Sequence, residues 1–121
     1  MKKLVIVIFL FPCIALGQKT YVPDNIFEAH LETFGMGDGI WNNDSVLTAN
    51  ISSKTILTVS SRSISDLTGI EDFAALDSLY CAWTQLTSLD VSNNTVLTYL
   101  WCSNNNQLTS LDVSNNPALI Y

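Results

Sequence analysis

The chain has 121 residues, with eleven acidic and five basic side chains and a formal net charge of −6. Binding to nucleic acid or to an anionic membrane surface needs a basic footprint, and the sign here is the opposite. At about a hundred residues beyond its leader, the chain holds one modest domain.

Met1-Lys2-Lys3 is a short basic region, followed by the apolar run Leu4 to Leu16 and the small-residue pattern Ala15-Leu16-Gly17. This is the build of a secretory signal peptide, residues 1–17, with cleavage expected after Gly17. The run is interrupted by Pro12 and is short for a membrane span, which needs ~20 apolar residues. Acylation at Cys13 fits poorly, because Pro12 stands where a small residue is expected. Removal of the leader leaves Lys19, Lys54 and Arg62 against eleven acidic residues, a net charge of −8. The mature chain is expected outside the cell, secreted or at the cell surface, without insertion in a membrane.

From Tyr21 to about Asn50 no long period is present. "VPDNIFEAHLETFG" places Ile26, Phe27, His30, Leu31 and Phe34 at the three-four spacing of an amphipathic helix. Asp24 can cap its start and Gly35 can end it. "GMGDGIWNND" is a turn region in which Gly37 and Gly39 are expected to take positive φ, and "SVLTANI" reads as a strand. Asp38, Asn42 and Asp44 suggest oxygen ligands for calcium. Against that, Ile40 occupies a ligand position of the EF-hand spacing and no Glu follows at the required distance; a polar turn is the plainer reading. His30, the single histidine, reads as packing.

From residue 55 the chain repeats itself. "LTSLDVSNN" begins at Leu86 and again at Leu108, 22 residues later. Leu57, Leu79 and Leu100 fall in one column, and Val59, Cys81 and Cys102 fall two residues on. Ile64, Leu86 and Leu108 form another, as do Leu67, Leu89 and Leu111. The pattern L-x-x-L-x-(V/C), seen in "LDSLYCAWTQL" and "LTYLWCSNNNQL", resembles the leucine-rich repeats of secreted bacterial proteins. The upstream "ILTVSSRSISDLTGIEDFAALDSL" is similar to the internalin variety. The resemblance covers residues 55–121, about three coils with the last cut short. Its implied fold is α/β: a leucine-rich-repeat solenoid with a short parallel sheet on the concave face, preceded by an N-terminal helical cap over residues 18–54. The end of the chain is expected to lead into a longer array.

The physical reason for the columns is that one coil cannot bury its own apolar face, so stacked coils supply the core. Period-two alternation at Leu79/Cys81 and Leu100/Cys102 marks short strands. Asn94, Asn105 and Asn116 at the bends are expected to bond to backbone of neighbouring coils. Cys81 and Cys102 take equivalent inward positions, a geometry that suits free thiols better than a disulfide.

Outward residues follow from the same alternation. They are Ile56, Thr58 and Ser60, then Ser78, Tyr80 and Ala82, then Tyr99, Trp101 and Ser103, with Tyr121 repeating Tyr99. Tyr80, Tyr99, Trp101 and Tyr121, with Ser78 and Thr58, are therefore the candidate binding residues, since exposed aromatics concentrate on recognition surfaces. The expected function is a non-enzymatic binding or adhesion module for a protein partner, with a glycan as the alternative ligand. A structural spacer before a further domain is the alternative role. No second histidine, no activated Ser or Cys and no Gly-rich phosphate loop accompany His30, so no catalytic residue, cofactor or metal is expected.

Overall fold

The computed structural model describes residues 17–120. The expected leader, apart from Gly17, and Tyr121 lie outside the described residues.

In the N-terminal part, β1 (Lys19–Tyr21) pairs antiparallel with β2 (Ser45–Leu47), Thr20 facing Val46. Helix α1 (Asn25–Thr33) runs between them. It starts where expected, because one carboxylate oxygen of Asp24 accepts from the N–H groups of Ile26 (2.9 Å) and Phe27 (3.0 Å). These are two of the orphan donors that every helix start exposes. The other oxygen of Asp24 accepts from Ser65 N (2.9 Å) and Asp66 N (3.2 Å), so the same side chain ties α1 to the first repeat. Left-handed Gly35 (φ 71°) follows the helix end.

The buried face of α1 differs from the expected stripe. Phe27, Leu31 and His30 are buried, but Ile26 and Phe34 are exposed, and Glu28 is buried in their place. The reason is polar: the Glu28 carboxylate accepts from Asn43 N (3.0 Å) and Asp44 N (3.1 Å), satisfying the turn before β2. "SVLTANI" is likewise half strand. Beyond Leu47 the pairing with β1 runs out, and a helical turn, α2 (Thr48–Ile51), buries Ile51 completely. In the turn region Gly39 has positive φ (84°) but Gly37 does not; a side chain at Gly37 would collide with the Glu32 carboxylate, so small size is what this position requires.

The repeats form two parallel sheets. Strands β3 (Ile56–Thr58), β4 (Ser78–Tyr80) and β6 (Tyr99–Trp101) lie side by side in that order; β5 (Ser88–Asp90) pairs with β7 (Ser110–Asp112). Registers follow the sequence columns, with Leu57 beside Leu79 and Leu79 beside Leu100 in the first sheet, and Leu89 beside Leu111 in the second. Residues 78–81 and 99–102 are expected from the sequence to be neighbouring parallel strands; 78–80 and 99–101 are, and both strands stop one residue short of the expected end. Leu57, Leu79 and Leu100 from one sheet meet Leu86, Leu89, Val91 and Leu97 from the other return path in a continuous core. Leu111 and Val113 share columns with buried Leu89 and Val91 but are 44% and 38% exposed, because no described coil stacks over them.

Asparagines complete the coils as expected. Asn94 Nδ2 donates to Ile70 O (2.8 Å) and Phe73 O (3.2 Å), and Asn116 Nδ2 donates to Val91 O (2.9 Å) and Asn94 O (2.7 Å). Asn105 Nδ2 joins Cys81 O (2.9 Å) to Cys102 O (2.8 Å), while its Oδ1 accepts from Thr84. Each buried amide pairs carbonyls that the bend takes out of the ladder.

Candidate functional site

Strand alternation sends Leu57, Leu79 and Leu100 into the core and leaves two outward ranks on the β3–β4–β6 sheet. One rank is Ile56, Ser78, Tyr99; the other is Thr58, Tyr80, Trp101. The register puts Tyr80 directly beside Trp101, with ring centroids 6.3 Å apart at 57°. Tyr99 packs against Tyr80 from the other rank at 5.2 Å and 37°. These are tilted arrangements within the range favoured by aromatic quadrupoles.

Tyr80 and Tyr99 are half-buried and Trp101 is 45% exposed, its indole N–H donating to Ser103 Oγ. Ser78 donates to Asp77 Oδ2 (3.0 Å), and Thr58 is exposed at the β3 edge. The structure thus brings together five of the six sequence-derived candidates on one surface; the sixth, Tyr121, lies outside the described residues. Ala82 corrects the outward set. The strand stops at Tyr80, the chain bends, and both Cys81 and Ala82 turn into the core.

The aromatic face borders helix α1. A cavity of about 400 Å³ beside β3 is lined by His30, Phe34, Ile56, Thr58 and Arg62 among others. His30 packs on Phe34 at 4.7 Å. Burial, and then the nearby positive charge of Arg62, lower the imidazole pKa to about 4. Sequence reasoning missed Phe34, which lies outside the repeats, and Arg62, which sits in a turn between strands where alternation assigns no direction.

Cys81 and Cys102 are free thiols in one inward column, Cys81 buried and Cys102 half-buried. Burial, and then the neighbouring Cys102, push the Cys81 thiol up to about 12; burial also raises Cys102. Neither is a ready nucleophile or metal ligand. In the turn before β2, burial alone would raise the Asp38 pKa. Hydrogen bonds from Lys19 Nζ (2.8 Å), Asn43 Nδ2 (2.9 Å) and Ile40 N (2.9 Å) overcome it and hold the carboxyl well below the usual range. Its oxygens organise the turn, which accords with the polar-turn reading of Asp38, Asn42 and Asp44.

The arrangement of paired sheets over a leucine core is shared by solved structures. The functional domain of InlJ from Listeria monocytogenes, whose structure includes a cysteine ladder, matches 87% of this chain at 30% identity with a TM-score of 0.63. This likeness gives the chain an internalin-like fold of the leucine-rich-repeat type. An internalin (inlF) from Listeria monocytogenes matches 75% of the chain at 22% identity and TM-score 0.59. The CBM51-2 and INT domains of Clostridium perfringens ZmpB match 70% at 22% and 0.56. The chain spans only 28%, 30% and 17% of these three structures, respectively. No protein-family model and no curated protein matches it. Among the described residues, no helix is long and apolar enough to cross a membrane.

Proposed function

We propose that this chain is an exported, non-enzymatic leucine-rich-repeat module that binds a protein partner through the outer face of the β3–β4–β6 sheet. In this reading the sheet lines the concave side of a solenoid, residues 18–54 cap its first coil, and residues 1–17 are removed on export.

The observation that carries the proposal is the packed trio Tyr80, Tyr99 and Trp101 on a sheet face, with Trp101 45% exposed. Aromatic anchors of this kind hold large contact area with little conformational freedom to lose. Flanking Thr58 and Ser78 supply a polar rim. The alternative role, a spacer presenting a further domain, needs no such surface. A glycan is the alternative ligand for the same ring cluster.

Oxidative footprinting of the chain with and without secreted and cell-surface proteins tests the proposal. A bound partner is expected to protect Trp101 and Tyr80 from oxidation while Trp41, exposed in the turn before β2, stays reactive. Protection confined to Trp41, or absent from the sheet face when a partner is bound, would sink it.

A further inference from the structure

The turn that follows each strand of the aromatic sheet repeats one backbone conformation. Ser61, Trp83 and Asn104 occupy the same position of successive coils and have φ of 60°, 56° and 57°. The ladder imposes it, since Ser61 N donates to Ala82 O (2.9 Å) and Trp83 N to Ser103 O (3.1 Å). Asparagine adopts the left-handed region readily; a bulky aromatic residue there is an outlier. Burial does not compensate for this at Trp83, whose side chain is 63% exposed. A residue disfavoured by its backbone and left in solvent is a place to look for binding.

The surroundings of Trp83 are polar. With Arg62, Gln85, Asn104, Ser61 and Ser63 it lines a groove of about 580 Å³ at the margin of the aromatic sheet. Arg62 has no salt-bridge partner among the described residues, although acidic side chains outnumber basic ones in the chain. Guanidinium groups pair with carboxylates through two parallel hydrogen bonds. The amides of Gln85 and Asn104 can each donate and accept, as adjacent sugar hydroxyls require. A flat, exposed indole offers an apolar platform for the C–H face of a pyranose ring. A protein anchor would seek a desolvated apolar pocket, and Trp83 is the only apolar side chain among the residues that line this groove.

We infer that the Arg62–Trp83 groove is a second binding site, distinct from the aromatic sheet face, and that it takes a carboxylated saccharide. The sugar ring stacks on Trp83, its carboxylate pairs with Arg62, and Gln85 and Asn104 read its hydroxyls.

The test is calorimetric titration of the chain with a uronic-acid trisaccharide and with the neutral trisaccharide of the same linkage. The uronate is expected to bind, and the neutral sugar to bind at least tenfold more weakly. Trp83→Asn should fold with an equal or higher Tm, because asparagine suits the left-handed turn, yet lose at least tenfold in affinity. Arg62→Gln should show the same loss, and it decides the matter if Trp83→Asn fails to fold. Trp101→Ala should leave the affinity unchanged. Absence of uronate binding, equal binding of the neutral sugar, retention by Arg62→Gln or loss in Trp101→Ala would each overturn the assignment.

Discussion

Asn94 lies under the second sheet as a fully buried amide, its Nδ2 bonded to Phe73 O at 3.2 Å and to Ile70 O at 2.8 Å, one coil earlier. The bond links coils that share no covalent neighbour there. Asn94→Ala removes two buried bonds to Ile70 O and Phe73 O, which keep only their own turn bonds from Phe73 N and Leu76 N, and is expected to cost about 1–2 kcal/mol. Asn93→Ala, one residue earlier and exposed, should stay within ~0.5 kcal/mol. Urea unfolding of the two variants separates them; equal midpoints would show that the asparagine bonds contribute nothing.

Cys81 is fully buried with its thiol pushed up to about 12, whereas Cys102 is half-buried. Alkylation of the folded chain at pH 8 should therefore label Cys102 first, with Cys81 reacting only on unfolding. Mass spectrometry of the partly labelled chain checks this. Equal labelling of both thiols would mean the inward column is open.

His30 ties stability to pH. Folded His30 stays neutral down to about pH 4, while its unfolded value is 6.5. Between these values the unfolded chain binds a proton that the folded chain does not, so stability falls as pH drops from 6.5 and levels off near 4. Carboxylates lowered in the fold, such as Asp24 and Asp38, act below that window, from their ordinary value of 3.8 downward. His30→Gln should flatten Tm between pH 6.5 and 4. An unchanged slope in that variant would assign the effect elsewhere.

Much of this architecture was legible because a stacked coil repeats its burial requirements. Leu57, Leu79 and Leu100 share a column because three strands must each place one residue in the same core, and Asn94 recurs at Asn116 because each bend presents equivalent carbonyls to the amide of the next coil. Aperiodic features were less visible. Glu28 is buried for the sake of two turn donors, a demand that hydrophobic spacing cannot express, and that displaces Ile26 and Phe34 to the surface. Ala82 turns inward because β4 ends at Tyr80, and alternation carries no signal for where a three-residue strand stops. Trp83 escaped notice because neither Ser61 nor Trp83 advertises a left-handed turn as Asn104 does. On the aromatic face, alternation was enough to place Tyr80, Tyr99 and Trp101 together.

The affinity of Trp101→Ala for a protein partner of the wild-type chain, measured beside its Tm, tests the central claim most directly. Trp101 is an exposed ring in contact with Tyr80, and truncating an interface anchor of this type typically costs about 2 kcal/mol or more. Binding should therefore weaken about thirtyfold or more, while Tm stays within a few degrees of wild type. Unchanged affinity, or a collapse in Tm without a separable binding defect, would contradict the assignment of this sheet face as the recognition surface.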